Sequence, residues 1–374
     1  MHIDVTRVLV VDGELRADGG RALGVNGGGG SGGSIWITTV SLRGTGNITV
    51  NGGDQYEGGS GGGGAAGRIA IYLWKNDTYV GTYQAHGGSA DMYSVVQPAE
   101  PGGPGTTFIY HMHHQHSTIY VNNDQLVSHS VAMVRDYLNT SRDSFKAWFF
   151  PESGDHWLAK SSHKYYFDEL QIFGNAHLAI LPEPFTDGAS LYFRYMIGDR
   201  SGVVHVGPHQ VMDLERSFID TPFSVYVYEL GYLGLAPNTE IQRVFIHVEG
   251  TVDRVFNLTL VQGGELRLFQ SGSTNNLPRL NYRFNGTTVI KADSCINASE
   301  PFAHSDRFQL QFGHVIVEGG GKISGKNMKI RAGNMFVDDG GYVDVSDGGH
   351  LSGLGKGLLL INFLFFFISI LWNM

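Results

Sequence analysis

The strongest constraint on the fold is an internal repeat near the start of the chain. Gly27–Ile37 aligns with Gly61–Ile71. A second element, Gly46–Gly53, lies between these copies and aligns at almost the same offset with Gly13–Gly20, which precedes the first copy. All four segments carry apolar side chains at alternate positions, which is typical of a strand with one buried face. Repetition at a fixed spacing predicts stacked structural units that share one core.

A second repeat, with a shorter spacing, lies nearer the C-terminus. Val315–Ile323 aligns with Met335–Val343, and each unit holds two short strands separated by glycines. A unit this short cannot bury its inward face alone, so neighbours must stack. The residues expected to stack inward as ladders are Val315, Val317, Ile323, Met335, Val337 and Val343.

The two repeats together predict an all-β fold, namely a right-handed parallel β-helix (a solenoid) with an irregular middle section and a C-terminal hydrophobic helix. The alternative is an antiparallel sandwich with Gly-rich turns. Residues 1–105 are predicted as Gly-rich β-helix rungs, 106–255 as an irregular β-rich section or insertion, 256–354 as regular rungs, and 355–374 as a hydrophobic tail. The middle section contains a dense aromatic stretch that includes Trp148 and Trp157, and Ser128–Leu138 has the periodicity of a short helix or a loop.

Composition excludes several classes of protein. The chain has 53 glycines but only 11 prolines and no Gly-X-Y period, so it is not collagen. A formal net charge of −9 argues against a nucleic-acid partner, which requires a basic surface. The single cysteine, Cys295, excludes an intramolecular disulfide and a cysteine-based zinc site.

N-glycosylation motifs predict a secreted or cell-surface glycoprotein. Met1–Val5 lacks the basic and apolar regions of a signal peptide, so we expect the natural N-terminus to lie upstream. Six asparagines stand in Asn-X-Ser/Thr motifs: Asn47, Asn76, Asn139, Asn257, Asn285 and Asn297.

Titratable residues do not suggest a catalytic centre, and no catalytic residue and no cofactor are predicted. The Asp338-Asp339 pair falls at a corner before two glycines, where solvated acids are expected. The densest histidine group comprises His111, His113, His114 and His116. Alternate members would share a strand face and offer nitrogen ligands to a transition metal. The sequence favours a solvated surface group, because no cysteine, aspartate or glutamate near the four histidines, before Asp124, completes a set of metal ligands. A metal site is the alternative.

The C-terminal tail predicts contact with a membrane. It is an apolar run, Leu358–Trp372, that follows a Gly-rich hinge. The run is short for a spanning helix, and its layout resembles a GPI-anchor signal. A tail that results from a truncated or incorrectly predicted chain is the remaining alternative. The predicted anchor residues are Leu358, Phe363, Phe366 and Ile370.

The Gly-rich repeats resemble those of large extracellular proteins that are described as adhesin-like parallel β-helices. The resemblance rests on Ser34–Ile37, Gly44–Gly53, Arg68–Tyr72 and Gly340–Gly349. It covers roughly 8–72 and 256–354, and it concerns the scaffold, so it implies architecture and surface location but no chemistry. We therefore expect a non-catalytic structural or adhesive part of a surface protein, with glycans or other surface proteins as partners. The alternative is a glycan-binding module or a polysaccharide-active enzyme on the same scaffold.

Overall fold

The protein is all-β, with mostly parallel sheets. The computed structural model describes residues 1–75, 77–90, 99–126, 163–180, 189–214, 222–253, 255–269, 281–299, 308–325 and 328–344. These residues form 27 strands in four sheets, and no helix occurs among them. The helix or loop considered for Ser128–Leu138 and the hydrophobic C-terminal helix both fall outside these ranges.

The largest sheet runs through the N-terminal two thirds of the chain. Its strands follow one another in chain order, apart from β6, which pairs with the second half of β3. The strands are β1 (His2–Val10), β3 (Ser34–Gly44), β5 (Arg68–Leu73), β6 (Asp77–Tyr79), β8 (Thr106–His111), β9 (His116–Asn122), β10 (His163–Phe173), β12 (Ala189–Gly198), β14 (Val211–Asp213), β16 (Tyr232–Gly234) and β19 (Thr251–Asp253).

Three smaller sheets take the strands between those of the large sheet and the strands that follow it. The first contains β2 (Glu14–Arg16), β4 (Asn47–Thr49) and β7 (Thr82–Gln84). The second contains β11 (His177–Ile180), β13 (Val203–Val206), β15 (Ser224–Val227), β18 (Phe245–Val248), β21 (Glu265–Phe269), β23 (Cys295–Ser299), β25 (Lys322–Gly325) and β27 (Tyr342–Asp344). The third contains β17 (Asn238–Gln242), β20 (Asn257–Val261), β22 (Asn281–Ile290), β24 (Phe308–Val317) and β26 (Met328–Val337).

Strand registers confirm the repeats seen in the sequence. Ile35 pairs with Ile69, and Leu15 pairs with Ile48, as the alignment of the two N-terminal repeats predicts. In the C-terminal part Val317 pairs with Val337, its counterpart in the shorter repeat. The ladders are parallel, which excludes the antiparallel sandwich.

Inward stacking of the shorter C-terminal repeat holds for the first unit and only in part for the second, in which Met335 is half-buried against the core. Val315, Val317 and Ile323 are fully buried. Val337 and Val343 continue the same ladders but are 46% and 38% exposed. They lie on β26 and β27, the last strands of their sheets in the described part of the chain, so no described strand covers their outer side. Burial of both residues was therefore a wrong expectation.

An antiparallel hairpin divides the large sheet into two parts. The hydrophobic core packs on one face of the sheet before the hairpin and on the opposite face after it. Among the described strands, β8 and β9 form the one antiparallel pairing, with Phe108 opposite Ile119. Before the hairpin, Ile71 belongs to one hydrophobic cluster, and its partner Ile109 packs against that cluster. After it, Phe108 and Ile119 belong to a second cluster, which also takes in Leu170. Phe108 and Ile109 are adjacent in one strand and so point to opposite faces.

This exchange of faces agrees with the general handedness of chain crossovers. Crossovers between parallel strands are right-handed in nearly all proteins. The hairpin reverses strand direction while the sheet continues to grow in the same order. Crossovers of one hand change face when the strand direction is reversed, and the second hydrophobic cluster does lie on the opposite face of the sheet.

Glycine carries the packing of the N-terminal part where side chains do not. A series of backbone hydrogen bonds, here called the glycine relay, joins two groups of segments alternately. Segments of the first group follow β2, β4 and β7, and segments of the second group precede β3, β5 and β8. Each N–H donates over 2.8–2.9 Å to the carbonyl of the previous member. A Cβ at Gly64 would lie 2.0 Å from the Gly30 carbonyl oxygen, a separation that no side chain tolerates. The relay runs in the order Gly20, Gly30, Gly53, Gly64, Gly88, Gly102.

Candidate functional site

A pocket of about 360 Å³ lies beside the β8–β9 hairpin. It forms there because β10 is longer than the strand beside it. On one side β10 pairs with β12 from His163 to Ile172, whereas on the other it pairs with β9 only from Glu169 onward. The first half of β10 therefore extends past the hairpin turn and leaves a gap. Tyr110 and Gln115 line the gap on the hairpin side.

Two tyrosines form the opposite wall. Tyr166 on β10 and Tyr192 on β12 are partners in the sheet, and their rings stack with centroids 4.6 Å apart and planes 16° apart. Tyr166 is 66% exposed, although Tyr192 covers one face of its ring. We call this pair and the space beside it the tyrosine pocket. An exposed aromatic face is chemically suited to stacking against an apolar ligand surface.

An ion pair supplies the charged part of the lining. Arg194 Nη1 lies 3.5 Å from Asp168 Oδ1, and both residues line the pocket. The other oxygen of Asp168 accepts a 2.9 Å hydrogen bond from the backbone N–H of Ser117 and a 3.3 Å bond from its hydroxyl. These bonds fix the carboxylate to the hairpin, so its position is set before any ligand arrives.

A break in strand alternation brings the charged residues to this place. On β10, Phe167 and Leu170 are both buried, although strict alternation would separate buried residues by two positions. On β12, Phe193 and Met196 show the same spacing of three. Asp168 and Arg194 each follow directly after the first buried aromatic ring. The matching irregularities therefore place the two charges side by side.

The histidine group lies at the turn of the hairpin. His111 pairs with His116 across the two strands, and the His113 and His114 rings meet edge to face in the turn. Burial lowers the pKa of His111 below its usual value. Acids do approach His116, since its ring nitrogens each lie 3.8 Å from a carboxylate oxygen of Asp168 or Glu169. In the described part of the chain, however, no three His, Cys, Asp or Glu side chains are grouped to hold a metal ion.

A second polar cluster is buried on the eight-stranded sheet. His177 Nδ1 and His205 Nε2 share a hydrogen bond of 3.0 Å, and His205 Nδ1 lies 3.1 Å from the Tyr228 hydroxyl. The ring of His205 also stacks on Tyr226, with centroids 5.3 Å apart. Burial lowers the pKa of His205 to about 3 and also lowers the pKa of His177. Both imidazoles are neutral at physiological pH, and their hydrogen bonds and ring stacking join neighbouring strands of this sheet.

Cys295 lies at a half-buried position near an ion pair of the eight-stranded sheet. Arg267 donates a 2.6 Å hydrogen bond to Glu265 and covers the ring of Phe245 at 4.4 Å. Burial, together with the neighbouring Glu265 carboxylate, raises the pKa of the Cys295 thiol to about 11. The thiol is therefore protonated at neutral pH and a poor nucleophile.

Four of the six glycosylation asparagines lie in the described ranges, and none of them is buried. Asn47 and Asn285 are exposed, whereas Asn257 and Asn297 are half-buried. Asn257 is also engaged, because its Oδ1 accepts from the Thr287 backbone N–H and its Nδ2 donates to Asn238. Asn76 and Asn139 lie outside the described residues.

Several predicted residues fall in parts of the chain that the structure does not describe. These are Trp148 and Trp157 in the aromatic stretch and the anchor residues Leu358, Phe363, Phe366 and Ile370. In the residues that are described, no helix has the length and apolar character needed to cross a membrane. Asp338 and Asp339 are exposed at a turn, in which the Gly341 N–H bonds to the Asp338 carbonyl.

Comparison with protein-family models, with curated proteins and with solved structures found no match for the chain.

Sequence reasoning did not find the tyrosine pocket. Tyr166 stood in the aromatic stretch, but Tyr192 and Arg194 belong to a separate strand-like run with no motif. The available signal was the parallel between the triplets Tyr166-Phe167-Asp168 and Tyr192-Phe193-Arg194. Such a short match does not stand out without the strand register that joins the two triplets.

Proposed function

We propose that this chain is the structural or adhesive part of a secreted or cell-surface protein, and that its sheets are the faces of a parallel β-helix. The observation that carries the proposal is the order of the strands. In all four sheets, apart from β6, neighbours in space follow the order of the chain, and every described pairing except β8–β9 is parallel. A coil whose turns stack along one axis produces this order.

The stacked registers favour a scaffold role. Short strands, glycine-lined contacts and side-chain ladders repeat from one unit to the next, as in the Val317–Val337 and Ile35–Ile69 pairs. A repetitive coil offers long, regular faces rather than one deep catalytic cleft. The resemblance of the Gly-rich repeats to adhesin-like extracellular proteins points the same way.

Surface location is supported by the accessible sequons and by the tail. Asn47 and Asn285 are exposed, as glycan acceptors must be. The apolar run Leu358–Trp372 at the end of the sequence has the layout of a membrane anchor or of a GPI signal. Together these features favour a tethered extracellular scaffold.

Fractionation of cells tests the location. The chain, fused to a secretion signal, is expressed in eukaryotic cells with and without residues 358–374. We expect the full form to sediment with membranes and the shortened form to appear in the medium. Release of the full form by a GPI-specific phospholipase would identify the type of anchor. Equal partition of both forms into the medium would contradict the tether.

Adhesion is tested with beads coated with the secreted, shortened form. We expect the beads to bind cell surfaces or surface polysaccharides more than beads coated with the same protein after heat denaturation. Equal binding by native and denatured protein would contradict an adhesive role.

A further inference from the structure

The tyrosine pocket has the features of a ligand site that the scaffold does not need. Its volume of about 360 Å³ falls in the range of roughly 300–1,000 Å³ that is common for small-molecule sites. A ring as exposed as that of Tyr166 contributes little to the core of a fold. An aromatic ring held rigid by a stacked partner, with one face open, is instead useful for binding.

Aromatic and charged groups line the same pocket, a combination that suits a sugar ring. The C–H-rich face of a pyranose is apolar and packs on an aromatic ring, while its hydroxyl groups project sideways. Asp168 accepts hydrogen bonds, and Arg194 donates them. The two groups lie 3.5 Å apart, close enough for neighbouring hydroxyls of one sugar to contact both.

The charge balance of the pocket selects neutral over acidic sugars. The lining holds one guanidinium and one carboxylate, which compensate each other. An acidic sugar would place a second carboxylate beside Asp168, and like charges side by side repel each other. A neutral vicinal diol keeps the ion pair and adds hydrogen bonds to it.

The same lining favours binding over hydrolysis. Glycosidases of the usual kind need two carboxyl groups on opposite sides of the scissile bond, roughly 5 to 9.5 Å apart. Among the described residues that line the pocket, Asp168 is the one acid. Its carboxylate is already hydrogen-bonded to Ser117 and paired with Arg194, which leaves it as an orienting acceptor.

We propose that the tyrosine pocket binds a neutral pyranose unit of a polysaccharide. The sugar ring stacks on Tyr166, and two adjacent hydroxyls bond to Asp168 and Arg194. This assignment rests on the proposed adhesive role and gives it a ligand class. It does not depend on the membrane tether, because binding is measured with the isolated chain.

Native gel electrophoresis through soluble polysaccharides tests the proposal. The full chain is run in gels that contain neutral glucan, mannan, xylan or galactan, with polygalacturonate as the acidic comparison. We expect at least one neutral polysaccharide to retard the protein and polygalacturonate to have no effect. Retardation by polygalacturonate alone, or by none of the five, would overturn the proposal.

Variants locate the binding. Tyr166→Ala removes the stacking surface, and we expect about tenfold weaker binding, the loss that corresponds to roughly 1.4 kcal/mol. Tyr166→Phe keeps the ring and should bind nearly as wild type. Arg194→Gln should weaken binding similarly. Trp74→Ala is the matched control, since Trp74 is 55% exposed and does not line the pocket.

Each variant is compared with wild type by circular dichroism and thermal unfolding before its binding is measured. Wild-type affinity in Tyr166→Ala, or an equal loss of affinity in Trp74→Ala, would contradict sugar binding at the tyrosine pocket. Failure of the tether experiment does not change this result, so the two proposals fail separately.

Discussion

Gly102 and Gly103 are neighbours in the chain, but only at the first would a side chain meet another stretch of backbone. A Cβ on Gly102 would lie 1.8 Å from the Gly64 carbonyl oxygen, whereas a Cβ on Gly103 would meet no atom within 4 Å. Gly102 also ends the relay of glycine hydrogen bonds by donating to Gly88. Its lack of a side chain is therefore a packing requirement at this position.

This contrast gives a matched pair of variants. We expect Gly102→Ala to lower the free energy of unfolding by about 1–3 kcal/mol, because backbone must move to admit the methyl group. Gly103→Ala should change it by less than about 0.5 kcal/mol, as for an ordinary surface position. Chemical denaturation of both variants measures the difference. Equal stability of the two would contradict the close packing of the glycine relay.

His205 predicts a dependence of stability on pH. Burial lowers the pKa of this imidazole from 6.5 to about 3 in the folded chain. Below about pH 6.5 the unfolded chain therefore binds a proton that the folded chain does not, and stability falls as pH falls. Between about pH 6.5 and pH 3 we expect a loss of about 1.4 kcal/mol per pH unit from this residue.

The measurement is the free energy of unfolding at a series of pH values. His205→Phe removes the titrating group and keeps a ring against Tyr226, so its stability should vary less with pH, whatever its value at neutral pH. His177 and Tyr228, the hydrogen-bonding neighbours of His205, remain in both proteins. Identical pH profiles for the variant and wild type would show that His205 is not the group responsible.

The hairpin β8–β9 is the element that the sequence did not predict. Both of its strands contain residues that favour strands, at Phe108–Tyr110 and Thr118–Val121. Their antiparallel pairing was not predictable, because the turn His111–His116 contains neither the glycine nor the Asn-Gly pair that usually indicates a tight hairpin. The exchange of buried faces follows from that pairing, so it was also not predictable.

Repeat registers were predictable, because they depend on local patterns alone. Alternating apolar residues and glycine corners recur at short, fixed spacings, and residues at equivalent positions of two repeats are paired in neighbouring strands. The exposure of Val337 was not predictable, since it depends on whether another strand pairs beside β26 and covers this side chain. Val317 and Val337 show both effects in one ladder position.

Aspartate at these two positions measures the difference. Val317 is fully buried, so Val317→Asp places a charge among apolar side chains. We expect the free energy of unfolding to fall by about 3 kcal/mol or more. Val337 is 46% exposed, so Val337→Asp should cost about 1 kcal/mol or less. Denaturation midpoints of both variants check this. A larger effect at Val337 would mean that the ladder continues inward past β26.

At the scale of the molecule, the same sheet serves two cores and one ligand site. The hairpin that separates the cores also supplies Tyr110 and Gln115 to the tyrosine pocket. The pocket thus lies where the regular stacking is interrupted. Repeats specify the scaffold, but a site at their interruption depends on residues far apart in sequence, such as Gln115 and Arg194, which no local pattern connects.

The accessible asparagines provide the test of the whole molecule as a glycoprotein. We expect Asn47 and Asn285 to carry glycans when the chain is expressed through a eukaryotic secretory pathway, because both are exposed on strands at the surface. Asn257 should carry less, since a glycan on its Nδ2 disturbs the 2.8 Å bond to Asn238. Site-resolved mass spectrometry, with and without enzymatic deglycosylation, measures the occupancy at each asparagine.

Removal of the threonine hydroxyl from one Asn-X-Thr motif distinguishes N-glycosylation from other modifications. Thr287→Ala destroys the motif at Asn285 but leaves the asparagine in place, so the mass at that peptide should fall to the unmodified value. Thr82→Ala is the control for Asn47, because it removes the hydroxyl that bonds to Asn47 Oδ1 without altering the motif. Unmodified Asn47 and Asn285 in secreted wild-type protein would remove the support that the sequons give to a surface location, and the tail alone would then carry it.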